Sequence, residues 1–90
     1  MAAITTERKR ELAAKFGSGE SDMGNTKVQI ALLTERINHL TEHLRAQDKD
    51  NSSRRGLLML VGRRRRFLAY LQRRDLEGYR ALIKELGLRR

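Results

Sequence analysis

The sequence has no cysteine, no proline and no tryptophan, and its only aromatic residues are two Phe and two Tyr. Without cysteine, a disulfide framework and a thiolate metal site are excluded. The absence of proline favours a largely helical chain, because proline breaks helix interiors. The longest apolar run spans residues 57–61, far short of the roughly 20 residues that a membrane span requires. The first four residues lead directly into charged ones, so we expect no secretory signal and a soluble, cytoplasmic protein without a membrane partner.

The length and the charge of the chain further limit the classes of function that are expected. Ninety residues make one small domain with a thin core, in which a deep enzymatic cavity is not expected. The formal net charge is +9, and residues 46–90 carry 13 basic and five acidic side chains against seven and six in residues 1–45. Arginine outnumbers lysine by 15 to five, and arginine is suited to bidentate contacts with phosphate. This composition favours a protein that binds nucleic acid over a helical protein whose charged surface serves only solubility.

Periodicity and capping residues predict four helices, at about residues 5–16, 25–46, 50–74 and 76–86, with a start at Ser53 as an alternative for the third. We expect Thr5 or Thr6 to cap the first helix and Gly17 to follow its end, and we expect residues 17–24 to form a loop. The expected fold is all-α: a long antiparallel helical hairpin of the second and third helices, with the short fourth helix folded back on it. The first helix has few apolar residues, so we expect it to dock weakly.

Apolar positions at helical spacing give the expected core side of each of the last three helices. In the second helix they are Ile30, Leu33, Ile37, Leu40 and Leu44. In the third they are Leu57, Leu60, Val61, Phe67, Leu68 and Leu71, and in the fourth they are Leu76, Tyr79, Leu82, Ile83 and Leu86. Asp75 is expected to cap the fourth helix and Gly87 to end it.

The polar faces of the two long helices carry the candidate binding residues. Gln29, Arg36 and His43 are spaced by seven and fall on one line along the second helix. Six residues of the third helix fall within about 100° of arc: Arg55, Arg63, Arg66, Tyr70, Arg73 and Arg74. A basic face with an aromatic ring inside it can neutralise phosphates and stack on a base, although a solvated face with Tyr70 packed over its neighbours is the simpler alternative. Arg64 points toward the apolar side, so we expect it to snorkel past the core or to pair with an acid.

Two groups of polar residues have competing interpretations. Thr26 and Gln29 have the spacing of a capping box, which favours a structural role for Gln29 over a binding role. His43, Asp50 and Ser53 surround the turn between the long helices and are the residue types of a hydrolase triad. No nucleophile elbow or oxyanion loop accompanies them, so a helix cap at Asp50 or Ser53, or a cluster that reads an RNA minor groove, is favoured. His39 and His43 lack a third metal ligand, so we expect no metal and no cofactor.

Several segments together resemble the bacterial small-subunit ribosomal protein S15 family, over about residues 12–90. The resemblance is carried by residues 24–34 (GNTKVQIALLT), residues 37–40 (INHL), Asp50 with residues 53–58 (SRRGLL), residues 64–66 (RRR) with Tyr70 and Leu71, and Tyr79 with residues 82–83 (LI) and 86–89 (LGLR). Their order and spacing are specific.

The resemblance implies a non-enzymatic RNA-binding protein of four helices in which residues 1–22, the first helix and its loop, are mobile. It implies binding to the central domain of 16S ribosomal RNA at a three-way junction and at a minor-groove site, which promotes assembly of the small subunit. Further implied partners are neighbouring small-subunit proteins and large-subunit RNA at an intersubunit bridge, with repression of the protein's own messenger RNA in several members. The free protein is expected to be a monomer.

The resemblance also implies which residues bind RNA, and it replaces the capping role of Gln29 by a binding role. The junction-binding positions correspond to Gly24, Thr26, Gln29, Arg36, Arg66, Tyr70 and Arg73. The minor-groove positions correspond to His43, Asp50 and Ser53. The sequence departs from the family at Met23, where a Thr is usual, at Asp48, where Lys is common, and at Gln47, Asn51 and Ser52, which are often His. These changes affect contacts around the two sites.

Three other functions remain open from the residues alone. A helical architectural DNA-binding protein would bind duplex DNA with no preference for RNA. A helical interaction module with an acidic protein partner would be indifferent to changes at Arg66 and Tyr70 in an RNA-binding assay. A hydrolase would lose its turnover when Ser53 is replaced by Ala.

Overall fold

The computed structural model describes residues 5–19 and 24–88, and these residues form four α-helices and no strand. The helices are α1 (Thr6–Phe16), α2 (Thr26–Ala46), α3 (Asn51–Arg74) and α4 (Leu76–Leu86). The all-α fold predicted from the sequence is confirmed, with each helix within two residues of its expected bounds. Within the described ranges, no helix combines the length and the apolar character needed to cross a membrane.

Side-chain caps set the helix starts. Asp50 caps α3 and Asp75 caps α4, as predicted, through hydrogen bonds that their carboxylates accept from the backbone N–H groups of Ser53 and Gly78. The capping box predicted from Thr26 and Gln29 is wrong, because Asn25 caps α2 by accepting a hydrogen bond from the Lys27 backbone N–H at 2.8 Å. Thr26 is therefore the first residue of α2, which leaves its hydroxyl outside the capping role.

Two glycines stand at helix C-termini, but only one adopts the left-handed conformation. Gly87 ends α4 with φ 70° and ψ 30°, a conformation that glycine adopts without steric cost. Gly17 ends α1 in an extended conformation, and its backbone N–H donates to the Ala13 carbonyl. The predicted positions of both glycines are confirmed.

The core lies along the seam between the antiparallel helices α2 and α3 and is closed at one end by α4. Its buried side chains include Ile30 of α2, Leu68 and Leu71 of α3, and Tyr79 and Leu82 of α4. The prediction for α4 fails at Leu76, its first residue, which is 43% exposed. On α3 only Leu68 and Leu71 are buried, and the remaining predicted core positions are partly exposed.

Arg64 extends from α3 to α2 across the edge of the core. Its guanidinium donates to the hydroxyl of the buried Thr34 at 3.3 Å, and Thr34 in turn donates to the Ile30 carbonyl at 2.8 Å. Partial burial lowers the pKa of Arg64 from its ordinary value. No carboxylate lies within ion-pair distance among the described residues, so of the two predicted environments the snorkelling one is observed.

Helix α1 lies against α2, where it buries Leu12 and Ala13. Arg8 anchors it through an ion pair of 2.8 Å with Glu35 of α2, and Lys15 pairs with Glu85 of α4 at 3.0 Å. The predicted mobility of residues 1–22 is a property of the chain in solution and stays a prediction. Residues 1–4 and 20–23, which include Met23, lie outside the described ranges.

Two glycines inside helices differ in the space around them, which yields a stability prediction. A Cβ at Gly62, in the middle of α3, would meet nothing closer than an Arg66 nitrogen at 3.8 Å. A Cβ at Gly78, in the first turn of α4, would overlap the Asp75 carboxylate and crowd the Lys27 side chain. We expect Gly62→Ala to raise the free energy of unfolding by about 0.5–1 kcal/mol, because alanine is the better helix former.

Gly78→Ala is expected to change the stability in the opposite direction. Gly78→Ala has the same propensity gain, but it displaces the capping carboxylate, so we expect it to lower the free energy of unfolding by about 1 kcal/mol. Urea unfolding followed by circular dichroism measures both variants. Equal shifts in the two variants would contradict the role of Asp75 as a cap.

Candidate nucleic-acid interface

The turn between α2 and α3 brings together His43, Asp50 and Ser53, as predicted. His43 is in the last turn of α2 and Ser53 in the first turn of α3, and Asp50 lies between the helices as the cap of α3. The Asp50 Oδ2 atom accepts hydrogen bonds from Ser53 Oγ at 2.6 Å and from His43 Nε2 at 2.9 Å. Its Oδ1 atom accepts from the Ser53 backbone N–H at 3.0 Å. One carboxylate therefore fixes both neighbouring side chains.

This arrangement differs from a hydrolase triad in its order. In a triad the imidazole lies between the hydroxyl and the carboxylate and takes the hydroxyl proton. Here the carboxylate lies between the hydroxyl and the imidazole, and the Ser53 proton is donated to Asp50. The base that contacts Ser53 is therefore the Asp50 carboxylate, which is far weaker than an imidazole, so the cluster lacks the base that activates the nucleophile of a triad.

The hydrogen bonds that Asp50 accepts stabilise its charged form. The Ser53 hydroxyl, followed by the His43 imidazole and the Ser53 backbone N–H, holds the pKa of Asp50 well below its ordinary value. The side chains of His43 and Asp50 remain 28% and 35% exposed. The cluster thus presents fixed, solvent-accessible donors and acceptors at the end of the hairpin, which is the kind of surface that recognises base edges and 2′-hydroxyls.

At the opposite end of the hairpin, α2 begins where α3 ends, and a groove of about 640 Å³ opens between them. It is lined by Thr26 of α2 and by five residues of α3: Arg63, Arg66, Phe67, Tyr70 and Arg73. Tyr70 is 40% exposed, and the Arg74 guanidinium lies 5.0 Å from the centre of its ring. The ring therefore lies among arginines at the surface, as predicted, where a base can stack on it.

A second, smaller groove of about 250 Å³ adjoins the first along the same side of the hairpin. Its lining consists of Lys9 of α1, the α2 residues Gln29, Leu32, Leu33 and Arg36, and Arg63 of α3. Arg63 lines both grooves, so the six predicted junction residues on α2 and α3 lie on one continuous surface. The seventh, Gly24, is exposed beside the start of α2. Arg55 is exposed near the other end of α3.

The charge of this surface is not neutralised within the described residues. Helix α3 contains eight arginines and no Asp or Glu. None of the ion pairs within residues 5–19 and 24–88 involves an α3 arginine. Arg54 donates to the Asp48 backbone carbonyl, and Arg64 donates to Thr34. An uncompensated row of guanidinium groups attracts a polyanion and binds its phosphates.

Two residues that line these grooves, Lys9 and Arg63, are absent from the junction positions that the family resemblance implies. The helical pattern does place Arg63 on the basic face of α3, so its sequence signal is the one already given. Lys9 has no such signal, because its position beside Arg36 and Arg63 depends on how α1 docks on α2. As for metals, no group of three His, Asp or Glu side chains in the described segments could hold an ion.

A family model and individual relatives identify the same family for this chain. The family model described as Ribosomal protein S15 matches residues 9–89. The chain is 63% identical over 82 residues to the small ribosomal subunit protein uS15 of Fusobacterium nucleatum subsp. nucleatum, which covers 91% of this chain and 96% of that protein. It is also 63% identical over 83 residues to the small ribosomal subunit protein uS15 of Clostridium botulinum strain Hall, covering 92% of this chain and 95% of that protein.

The environment of Asp50 predicts a pH dependence. Because its folded-state pKa is lowered, its contribution to stability is fully present above the ordinary carboxyl pKa of about 4 and is lost as the pH falls through the folded-state value. We expect Asp50→Asn to be less stable than the parent chain at neutral pH. The difference in the free energy of unfolding should shrink between about pH 5 and pH 2.

Urea unfolding at a series of pH values measures this difference. Asp48→Asn, an exposed change in the same turn, serves as the control and should leave the pH profile of the parent chain unaltered. Parallel profiles for the Asp50→Asn variant and the parent chain would show that the cluster does not hold the turn.

Proposed function

The chain belongs to the ribosomal protein S15 family, and from this premise we propose that it is a component of the small ribosomal subunit that binds ribosomal RNA. The family consists of structural ribosomal proteins, and the chain is not an enzyme. The order of Asp50, His43 and Ser53 agrees with this, because the imidazole contacts the carboxylate and not the hydroxyl. The observation that carries the proposal is the unneutralised arginine surface of α3 beside an exposed Tyr70.

The proposed junction site is the surface formed by Gly24, Thr26, Gln29, Arg36, Arg66, Tyr70 and Arg73. Its arginines would neutralise phosphates of the central domain of 16S ribosomal RNA where strands of a three-way junction come close together. Tyr70 offers a ring face for a base or ribose, and the Thr26 hydroxyl is not used as a helix cap. Two kinds of group are thus available, cations for the backbone and a stacking platform for unpaired nucleotides.

The proposed minor-groove site is the cluster of His43, Asp50 and Ser53. An A-form minor groove is wide and shallow and exposes 2′-hydroxyls and base edges, so short polar side chains can reach it. Gln29 and His43 are 14 residues apart on α2, which corresponds to about 21 Å along the helix axis. The two sites would therefore contact different features of one folded RNA.

The proposed mechanism follows from the fixed separation of the two sites. The chain gains its full binding energy only when the RNA arms are arranged so that both sites are occupied. Binding then shifts the conformational equilibrium of the junction toward that arrangement, which promotes assembly of the subunit. Because much of the energy comes from phosphate contacts, salt should weaken the complex steeply.

The further roles implied by the family are part of the same proposal. They comprise contacts with neighbouring small-subunit proteins, a bridge to large-subunit RNA, repression of the chain's own messenger RNA and location in cytoplasmic ribosomes, with a monomer as the free state. A helical architectural DNA-binding protein is the alternative that shares the basic surface. The polar cluster at the turn favours RNA over DNA, because its donors and acceptors suit 2′-hydroxyls.

Competition binding tests the proposal directly. We expect the chain to bind a central-domain junction RNA at least about tenfold more tightly than duplex DNA of equal length at the same salt concentration. Arg66→Gln and Tyr70→Leu should each weaken RNA binding about tenfold, through the loss of a phosphate contact and of a stacked ring. Arg80→Gln is the matched control: Arg80 is exposed on α4 outside both grooves, and its loss should change the affinity less than about threefold.

Two outcomes would contradict the proposal. Equal affinity for RNA and DNA would favour the architectural DNA-binding function. Equal losses in Arg66→Gln and Arg80→Gln would mean that the total charge and not the groove determines binding. Chemical footprinting of small-subunit ribosomal RNA with the parent chain then locates the contacts on the nucleotides.

The role of His43 in specificity is tested separately. We expect His43→Ala to reduce the preference for a matched over a scrambled minor-groove sequence about tenfold, with a smaller loss of affinity for the scrambled RNA. Both RNAs carry the same junction, so that the junction contacts are constant. His39→Ala, an exposed change one turn earlier on α2, should leave the preference intact. Equal losses on both RNAs in the His43→Ala variant would assign His43 to general affinity.

A further inference from the structure

We propose that Lys9, Arg36 and Arg63 form a phosphate-binding site through which α1 becomes part of the RNA interface. The inference rests on the proposed function and deepens it. Each of the three helices α1, α2 and α3 contributes one cation to the groove of about 250 Å³. The apolar residues Leu32 and Leu33 also line it, and Gln29 adds an amide. At about 30 Å³ per water molecule in the liquid, the groove has room for several waters or for a phosphate group.

The first argument is the convergence of like charges without a counter-ion. No carboxylate lines the groove, and within the described ranges none of the three cations takes part in an ion pair. Charges of one sign that share a groove repel one another, so their approach opposes the docking of α1. An anion bound in the groove attracts all three cations, so the electrostatic interaction then favours the docking of α1.

The second argument identifies the anion as an RNA phosphate. Arg63 lines both this groove and the larger one that contains Arg66, Tyr70 and Arg73. An RNA strand that is bound in the larger groove therefore contacts Arg63 and can continue toward Lys9. Guanidinium and ammonium groups are the usual protein ligands of phosphate, and the planar guanidinium forms two parallel hydrogen bonds with its oxygens.

The third argument concerns what holds α1 in place. Leu12 and Ala13 are buried, and Arg8 forms its 2.8 Å ion pair with Glu35, which does not line this groove. The Glu35 carboxylate, followed by that of Glu11, raises the pKa of Arg8. These contacts dock α1 without using Lys9, so Lys9 remains available for RNA. Since the docked helix supplies a phosphate ligand, RNA binding must stabilise docking to the same extent that docking strengthens RNA binding.

The first experiment measures junction-RNA affinity over a range of salt concentrations. We expect Lys9→Gln and Arg63→Gln each to weaken binding about fivefold and to reduce the slope of log K against log salt by about one. Arg10→Gln is the matched control, because Arg10 neighbours Lys9 on α1 and is exposed but does not line the groove. It should leave the slope nearly unchanged. Equal slopes for the Lys9→Gln variant and the parent chain would overturn the proposal.

The second experiment tests the coupling to α1. Ala13 is fully buried, so Ala13→Gln prevents close docking without changing any charge. We expect Ala13→Gln to weaken RNA binding about fivefold in the parent chain and to have almost no further effect in the Lys9→Gln background. Additive losses would mean that α1 and Lys9 act independently, which contradicts the proposal.

Hydrogen exchange supplies a measurement that does not depend on the fold of the Ala13→Gln variant. RNA should slow the exchange of the α1 amides about tenfold in the parent chain, and most of this added protection should disappear in Lys9→Gln. Unchanged α1 protection on RNA binding would overturn the coupling. If the parent chain itself does not bind junction RNA, the proposed function fails, whereas binding that is indifferent to Lys9 defeats this inference alone.

Discussion

The antiparallel packing of α2 against α3 is the constraint on which the other features depend. It buries the apolar seam and, because the helices run in opposite directions, places the start of α2 beside the end of α3. Thr26 therefore meets Tyr70 in one groove, although 44 positions separate them in the sequence. The same packing separates that groove from the polar turn by the length of the hairpin. A protein of 90 residues thus presents its two proposed binding sites at a fixed distance from each other.

The unneutralised charge of α3 is a second consequence of this architecture. Eight arginines on one helix repel one another, and within the described segments no carboxylate pairs with them. The free chain tolerates the repulsion because most of these guanidinium groups are exposed, where water screens them. A surface that lowers the stability of the free protein is common where a ligand of opposite charge is bound.

A single carboxylate organises the turn at the other end. Asp50 caps α3, closes the connection to α2 and orients both His43 and Ser53. The helix cap and the proposed RNA-binding cluster are therefore not separable at this residue, because the carboxylate that starts the helix also holds the two side chains in position. The same geometry explains why residue types that suggest hydrolysis do not form a catalytic site. The carboxylate occupies the central position that an imidazole must hold to accept the hydroxyl proton.

The sequence by itself determined the helices, most of their caps and the basic face of α3, because these follow from local spacing and from the hydrogen bonds of single side chains. Leu76 was misassigned because packing between helices decides burial. The cap at Asn25 was missed because Asn25 and Thr26 are adjacent and both are residue types that cap helices. Only the tertiary structure decided that Asp50 lies between Ser53 and His43, and that Lys9 joins Arg36 and Arg63. These arrangements depend on distances between helices, which no periodicity encodes. Periodicity fixes the direction in which a side chain leaves its own helix, and the docking of neighbouring helices fixes what that side chain meets.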